Sequence, residues 1–85
     1  MANKPHRRSK KPQHPVQAAI VDLRLYAGMS QARFAVTLGV SVPTVVRYEH
    51  THVPTGPILA RLETMAKHRS RLDLARVFRL CTASL

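Results

Sequence analysis

One stretch limits the folds open to this chain more than any other, the segment from Gln31 to Glu49. Phe34, Ala35 and Leu38 recur at i, i+1 and i+4, which puts them on one stripe of a short helix that Ser30 can start by accepting a backbone N–H. Gly39 then supplies the left-handed or tight backbone of a sharp corner, with the apolar Val40 beneath it. Ser41 is a good N-cap, and Pro43 is tolerated in a first turn, where N–H groups lack intrahelical partners. Val45 and Tyr48 fall on one face. The stretch therefore predicts two short helices, about 30–38 and 42–49, with the small Ala35 letting them cross closely at a glycine corner.

The flanks read as helical too. From Pro15, a plausible first helical residue, Val16, Ala19, Ile20, Leu23 and Ala27 keep helical spacing until Gly28, which predicts a first helix over about 15–27. The run from His50 to Gly56 breaks the periodicity and reads as a loop. Pro57 restarts a helix whose Ile58, Leu59, Leu62, Met65 and Ala66 form an apolar stripe to about residue 67. Ser70 and Asp73 have the spacing of a capping box, and Leu74, Ala75, Phe78 and Cys81 share the face of a fifth helix over about 71–81. No strand alternation or internal repeat competes. The expected fold is all-α, a compact five-helix domain over residues 15–85.

Charge sets the class of partner. Fourteen Lys and Arg against four acids leave a net charge of +10 and a pI near 11.5, so a polyanion is the expected partner, with nucleic acid ahead of an anionic membrane surface. Lys4, Arg7, Arg8, Lys10 and Lys11 crowd into residues 1–14, which hold Pro5 and Pro12 and no acid. That composition predicts a basic disordered arm. Its expected role is open between reaching a minor groove or a row of phosphates and being a solvated tail.

Cys81 is the only cysteine, so no intramolecular disulfide or multi-cysteine zinc site is expected, and a reducing cytoplasm suits it. No apolar run approaches the roughly 18 residues of a membrane span, and no signal peptide is indicated. A chain this small, without a carboxylate pair, a Gly-rich phosphate loop or a Cys-His arrangement, is expected to be a binding module rather than an enzyme, with no cofactor.

Two short helices joined by a tight glycine turn form the helix-turn-helix pattern. The segment resembles the helix-turn-helix of the Cro/C1-type, phage-repressor-like family of DNA-binding proteins. Ser30 and Gln31, Ala35, Gly39 and Val40, Val45, Tyr48 and Glu49 stand where that family's pattern places them, and the similarity extends from about Ile20 to about Phe78. The resemblance implies a cytoplasmic, nucleoid-associated transcriptional regulator, a repressor by preference, that lays its second motif helix in the major groove. It also implies a homodimer on double-stranded DNA, because a single module makes few base contacts.

The expected base readers are Ser41, Val42, Pro43, Thr44, Val46 and Arg47. Arg47 points away from Val45 and Tyr48 and suits a guanine O6/N7 pair, Thr44 can bond a base or phosphate, and Val42 can touch a thymine methyl. Gln31 stands where the family places a phosphate contact at a helix N-terminus, and that reading is preferred to a mere helix former at an exposed first position. Arg33 and His50 are further phosphate candidates. Arg24 and Glu49 stand where the family keeps an ion pair joining the first helix to the end of the third. The family commonly has Gly two residues after that Glu, whereas here Thr51 would be strained at positive φ. His50 and His52 are too few for a stable metal site, and solvated loop histidines are the simpler reading.

Two alternatives stay open. One is an antitoxin-like module that binds a protein partner such as a toxin and uses DNA binding for autoregulation. The other is a non-specific DNA or RNA binder acting through the arm, although the aromatics that single-strand RNA recognition favours are mostly committed to the core.

Overall fold

The architecture follows from where each helix can start and stop. The computed structural model describes residues 14–84, so the arm expected over residues 1–14 lies outside them except for His14. The chain forms α1 (Pro15–Tyr26), α2 (Gln31–Leu38), α3 (Val42–His50), α4 (Gly56–His68) and α5 (Leu72–Ala83), with no strand among the described residues.

His14, expected in the arm, is in fact the cap of α1. Its Nδ1 accepts the Val16 N–H at 3.1 Å, and Gln17 Oε1 accepts the His14 N–H at 3.3 Å. Ser30 and Ser41 cap α2 and α3 as expected, accepting the Arg33 and Thr44 N–H groups. At the other ends, Gly28 (φ 71°) and Gly39 (φ 79°) take the left-handed backbone that lets the next residue turn back. Met29 N–H reaches Arg24 O at 3.1 Å, and Val40 N–H reaches Ala35 O at 3.0 Å.

Two local expectations are corrected. Ser70 is not the N-cap of α5. It is the left-handed residue (φ 58°) that closes α4, with its N–H on Lys67 O at 3.0 Å and the Arg71 N–H on Ala66 O at 2.9 Å. Arg71 precedes α5 instead, and Asp73 turns its carboxylate to the Arg71 guanidinium rather than to a backbone cap. Thr51, for its part, sits at φ −132°, outside the left-handed region, so the strain expected there does not arise. The Thr51 and His52 N–H groups both close on Arg47 O at 2.8 Å.

The apolar stripes meet in one core. α5 packs on α4 and α1, while α3 packs on α2 and α1. Ile20, Leu23, Phe34, Leu38, Leu59, Leu62 and Phe78 are fully buried, and each such side chain stabilises the fold by about 1.5–3 kcal/mol relative to exposure. Val40, Tyr48 and Met65 are only partly buried against that core, and Ala27, expected in the α1 stripe, is the half-buried C-cap of its helix. Cys81 is buried, and desolvation pushes its thiol pKa up, which keeps it protonated and unreactive. No helix among the described residues is long and apolar enough to cross a membrane.

Candidate nucleic-acid interface

The helical repeat of α3 divides its side chains cleanly. Val45 and Glu49 face inward, with Val45 fully buried and Glu49 5% exposed. Val42, Pro43, Val46, Arg47 and His50 recur at i, i+1, i+4, i+5 and i+8, and all five are exposed along one continuous stripe. Five of the residues singled out from the sequence are therefore brought together on one side of one helix. Ser41 adjoins the stripe at its N-terminal end.

Thr44 stands apart from them. It is half-buried on the flank of α3, and its hydroxyl shares a 2.8 Å hydrogen bond with Ser41 Oγ, which also accepts the Thr44 N–H. Both hydroxyls are engaged in capping α3, so they hold the entry of the helix in shape. The stripe itself presents two valines, a proline, one guanidinium and one imidazole.

Glu49 anchors the inner side. Its carboxylate receives Arg24 Nε at 2.6 Å and Arg24 Nη2 at 3.3 Å, and Gln31 Nε2 donates to it at 3.0 Å. Arg24 Nη1 in turn donates to Met29 O at 3.1 Å. One buried carboxylate thus ties the end of α1, the start of α2 and the end of α3 together. The expected Arg24–Glu49 pair is present, and the Glu49 side chain is only 3% exposed. Sequence reasoning missed that Gln31 belongs to the same knot. Its amide is oriented by Glu49, with a second N–H left over, while its backbone N–H stands in the first turn of α2, where the Ser30 hydroxyl caps the Arg33 N–H.

The far end of α2 is held from outside the pair of helices. α2 has no basic residue in its last turn, and Arg61 of α4 supplies one, donating from Nη1 to Leu38 O at 2.7 Å. That contact joins elements 23 residues apart, and no local pattern announces it.

The segment that carries the stripe exposes charge of one sign only. Between Gly28 and Gly56 the only acid is the buried Glu49. The exposed Arg33 and Arg47 guanidinium groups have no acidic partner among the described residues. Elsewhere the acids are all paired. Asp22 and Asp73 flank Arg71 at 3.2 and 2.9 Å, and Glu63 meets Lys67 at 3.1 Å and Arg79 at 3.8 Å. Arg71 is a hub that also lies over the Tyr26 ring at 4.7 Å. Its side chain is 22% exposed.

His50 ends the stripe and His52 follows it, with His52 Nδ1 paired to Thr51 Oγ1 at 2.8 Å. No three His, Cys, Asp or Glu side chains among the described residues are grouped to hold a metal ion. Thr55 makes no side-chain cap for α4, so the first-turn N–H groups of that helix, at the end of the same loop, have no side-chain acceptor there. No protein-family model, curated protein or solved structure matches this chain.

Proposed function

We propose that this protein is a sequence-specific double-stranded DNA-binding regulator of the Cro/C1 helix-turn-helix type, a repressor by preference, with α2 and α3 as its motif. The observation that carries this reading is the exposed α3 stripe. It presents an unpaired Arg47 beside small apolar side chains, within a segment that exposes no acid from Gly28 to Gly56. A helix of that shape and charge fits the major groove, where phosphate attraction supplies affinity and base edges supply specificity.

In this reading Arg47 pairs with a guanine, Val42 and Val46 meet thymine methyl groups, and Ser41, Pro43 and Thr44 shape the entry of the helix. Arg33, His50 and the α2 N-terminus with Gln31 meet phosphates. Glu49 sets the pose of Gln31 through its amide. Two copies bind half-sites about one helical turn apart, with the exposed Leu72 and Leu80 of α5 available to join them. The protein acts in the cytoplasm, on the nucleoid, as a binding module without a catalytic step.

The test is selection of bound duplexes from a random pool at physiological salt, with the full chain compared with a version starting at Gln13, which keeps the His14 cap. A two-fold motif is expected, with Arg47→Ala relaxing one position in each half-site at a cost of about 1–3 kcal/mol. An asymmetric motif would remove the dimer. Binding without any motif that vanishes with the arm would replace the reading with a phosphate-charge binder.

A further inference from the structure

α4 borders two depressions of different character. The groove it forms with α5 carries both signs of charge, and Glu63 is paired there with Lys67 and Arg79. The opposite one is an open cleft of about 450 Å³ between the C-terminal half of α4 and Thr37 at the end of α2. Ala60 and Met65 give it an apolar floor, Met65 being seated on the core. Arg61, His68 and Arg69 rim it, and no acid lines it.

The side chains left free around this cleft are hydrogen-bond donors, two of them the guanidinium groups of Arg61 and Arg69. Thr37 and Thr64 donate their hydroxyl protons to Arg33 O and Ala60 O within their own helices. His68 and Arg69 side chains have no partner among the described residues, and Arg61 engages a single N–H, on Leu38 O.

We propose that this cleft docks an acidic, amphipathic segment of a partner protein. An aliphatic or aromatic anchor rests on Ala60 and Met65, and flanking carboxylates meet Arg61, His68 and Arg69. Charge complementarity selects the occupant. A second copy of this chain is a poor candidate, because Glu49 is buried and Asp22, Glu63 and Asp73 are already paired. A nucleic-acid backbone gains nothing from the apolar floor, since phosphate oxygens stay hydrated there. The size lies within the usual range of binding clefts, and the open mouth admits a chain rather than enclosing a small molecule. The inference does not depend on the DNA reading, and no residue of α3 takes part.

The experiment titrates the labelled full chain with a short helical peptide of Glu and Ala carrying two Leu one turn apart, followed by NMR. Signals of Thr37, Ala60, Thr64, Met65 and His68 are expected to shift. Ala60→Glu and Thr64→Glu, two exposed helix positions, should each weaken binding about tenfold while leaving the melting temperature in place, and Arg76→Glu on α5 should not. Equal binding of the peptide with both Leu replaced by Ala would overturn the proposal in favour of simple polyanion attraction. Shifts centred on α3 would overturn it as well. So would a short DNA duplex that moves the same cleft signals, since the surface would then belong to nucleic acid.

Discussion

At the residue scale, Glu49 has the largest consequence for its size. A carboxylate taken this far out of water is tolerated only because three donors from Arg24 and Gln31 surround it. Arg24→Ala, which strands that charge, should cost about 3–5 kcal/mol in urea unfolding, whereas the Arg24→Met, Glu49→Leu double replacement should cost far less. Additive losses in that cycle would contradict a coupled pair.

Asp73 shows the opposite case, an exposed carboxylate with a well-placed partner. The Arg71 hydrogen bonds hold its pKa below the ordinary carboxylate range. A folded pKa below the unfolded one contributes stability above the unfolded value and loses it as pH falls through the folded value. Asp73→Asn should therefore lower the melting temperature slightly at neutral pH, with the difference fading in strong acid and in high salt. A difference that grew toward acid would reverse that sign.

At the scale of elements, helix ends decide more than helix interiors. Gly28 and Gly39 both stand in the left-handed region, but a Cβ on Gly28 would meet nothing within 4 Å, while one on Gly39 would come within 3.1 Å of Arg61 Nη1. Gly28→Ala should cost about 1–2 kcal/mol of backbone strain. Gly39→Ala should cost more, because it also disturbs the bond that closes α2. Ser70→Gly should do the reverse and stabilise by about 1 kcal/mol, since it relieves a left-handed residue that has a Cβ. Urea midpoints of the three variants check the order, and a Gly39→Ala cost no greater than that of Gly28→Ala would show that Arg61 re-forms its contact freely.

At the scale of the molecule, charge is distributed rather than merely abundant. Each acid among the described residues is matched by a base, so the surplus stands on Arg33, Arg47, Arg61, Arg69 and Arg76 together with the arm. If the proposed DNA binding holds, log affinity should fall linearly with log salt at about 0.9 per phosphate neutralised, and removing residues 1–12 should flatten the slope without altering the selected motif. A motif that disappears with the arm would move base recognition out of α3.

The helices, their order and most of the core were legible in the sequence, because helical spacing of apolar residues and the Ser and Gly residues at helix ends act locally. Ser30, Gly39 and Ser41 do what their types and positions suggest. The Arg24–Glu49 pair could be expected only through resemblance, since nothing in the spacing brings residues 25 apart together. Tertiary structure alone decided that Gln31 joins that pair, that Arg61 closes α2 from another helix, that Arg71 gathers Asp22, Asp73 and Tyr26, and that Ser70 ends one helix instead of starting the next. Helical spacing and caps act between near neighbours in the chain. Gln31, Arg61 and Arg71, by contrast, are long polar side chains whose distant partners, the Glu49 carboxylate, the free Leu38 carbonyl and the Asp22 carboxylate, come within reach only once the helices have docked, and Ser70 takes the left-handed backbone where the junction of α4 and α5 requires it.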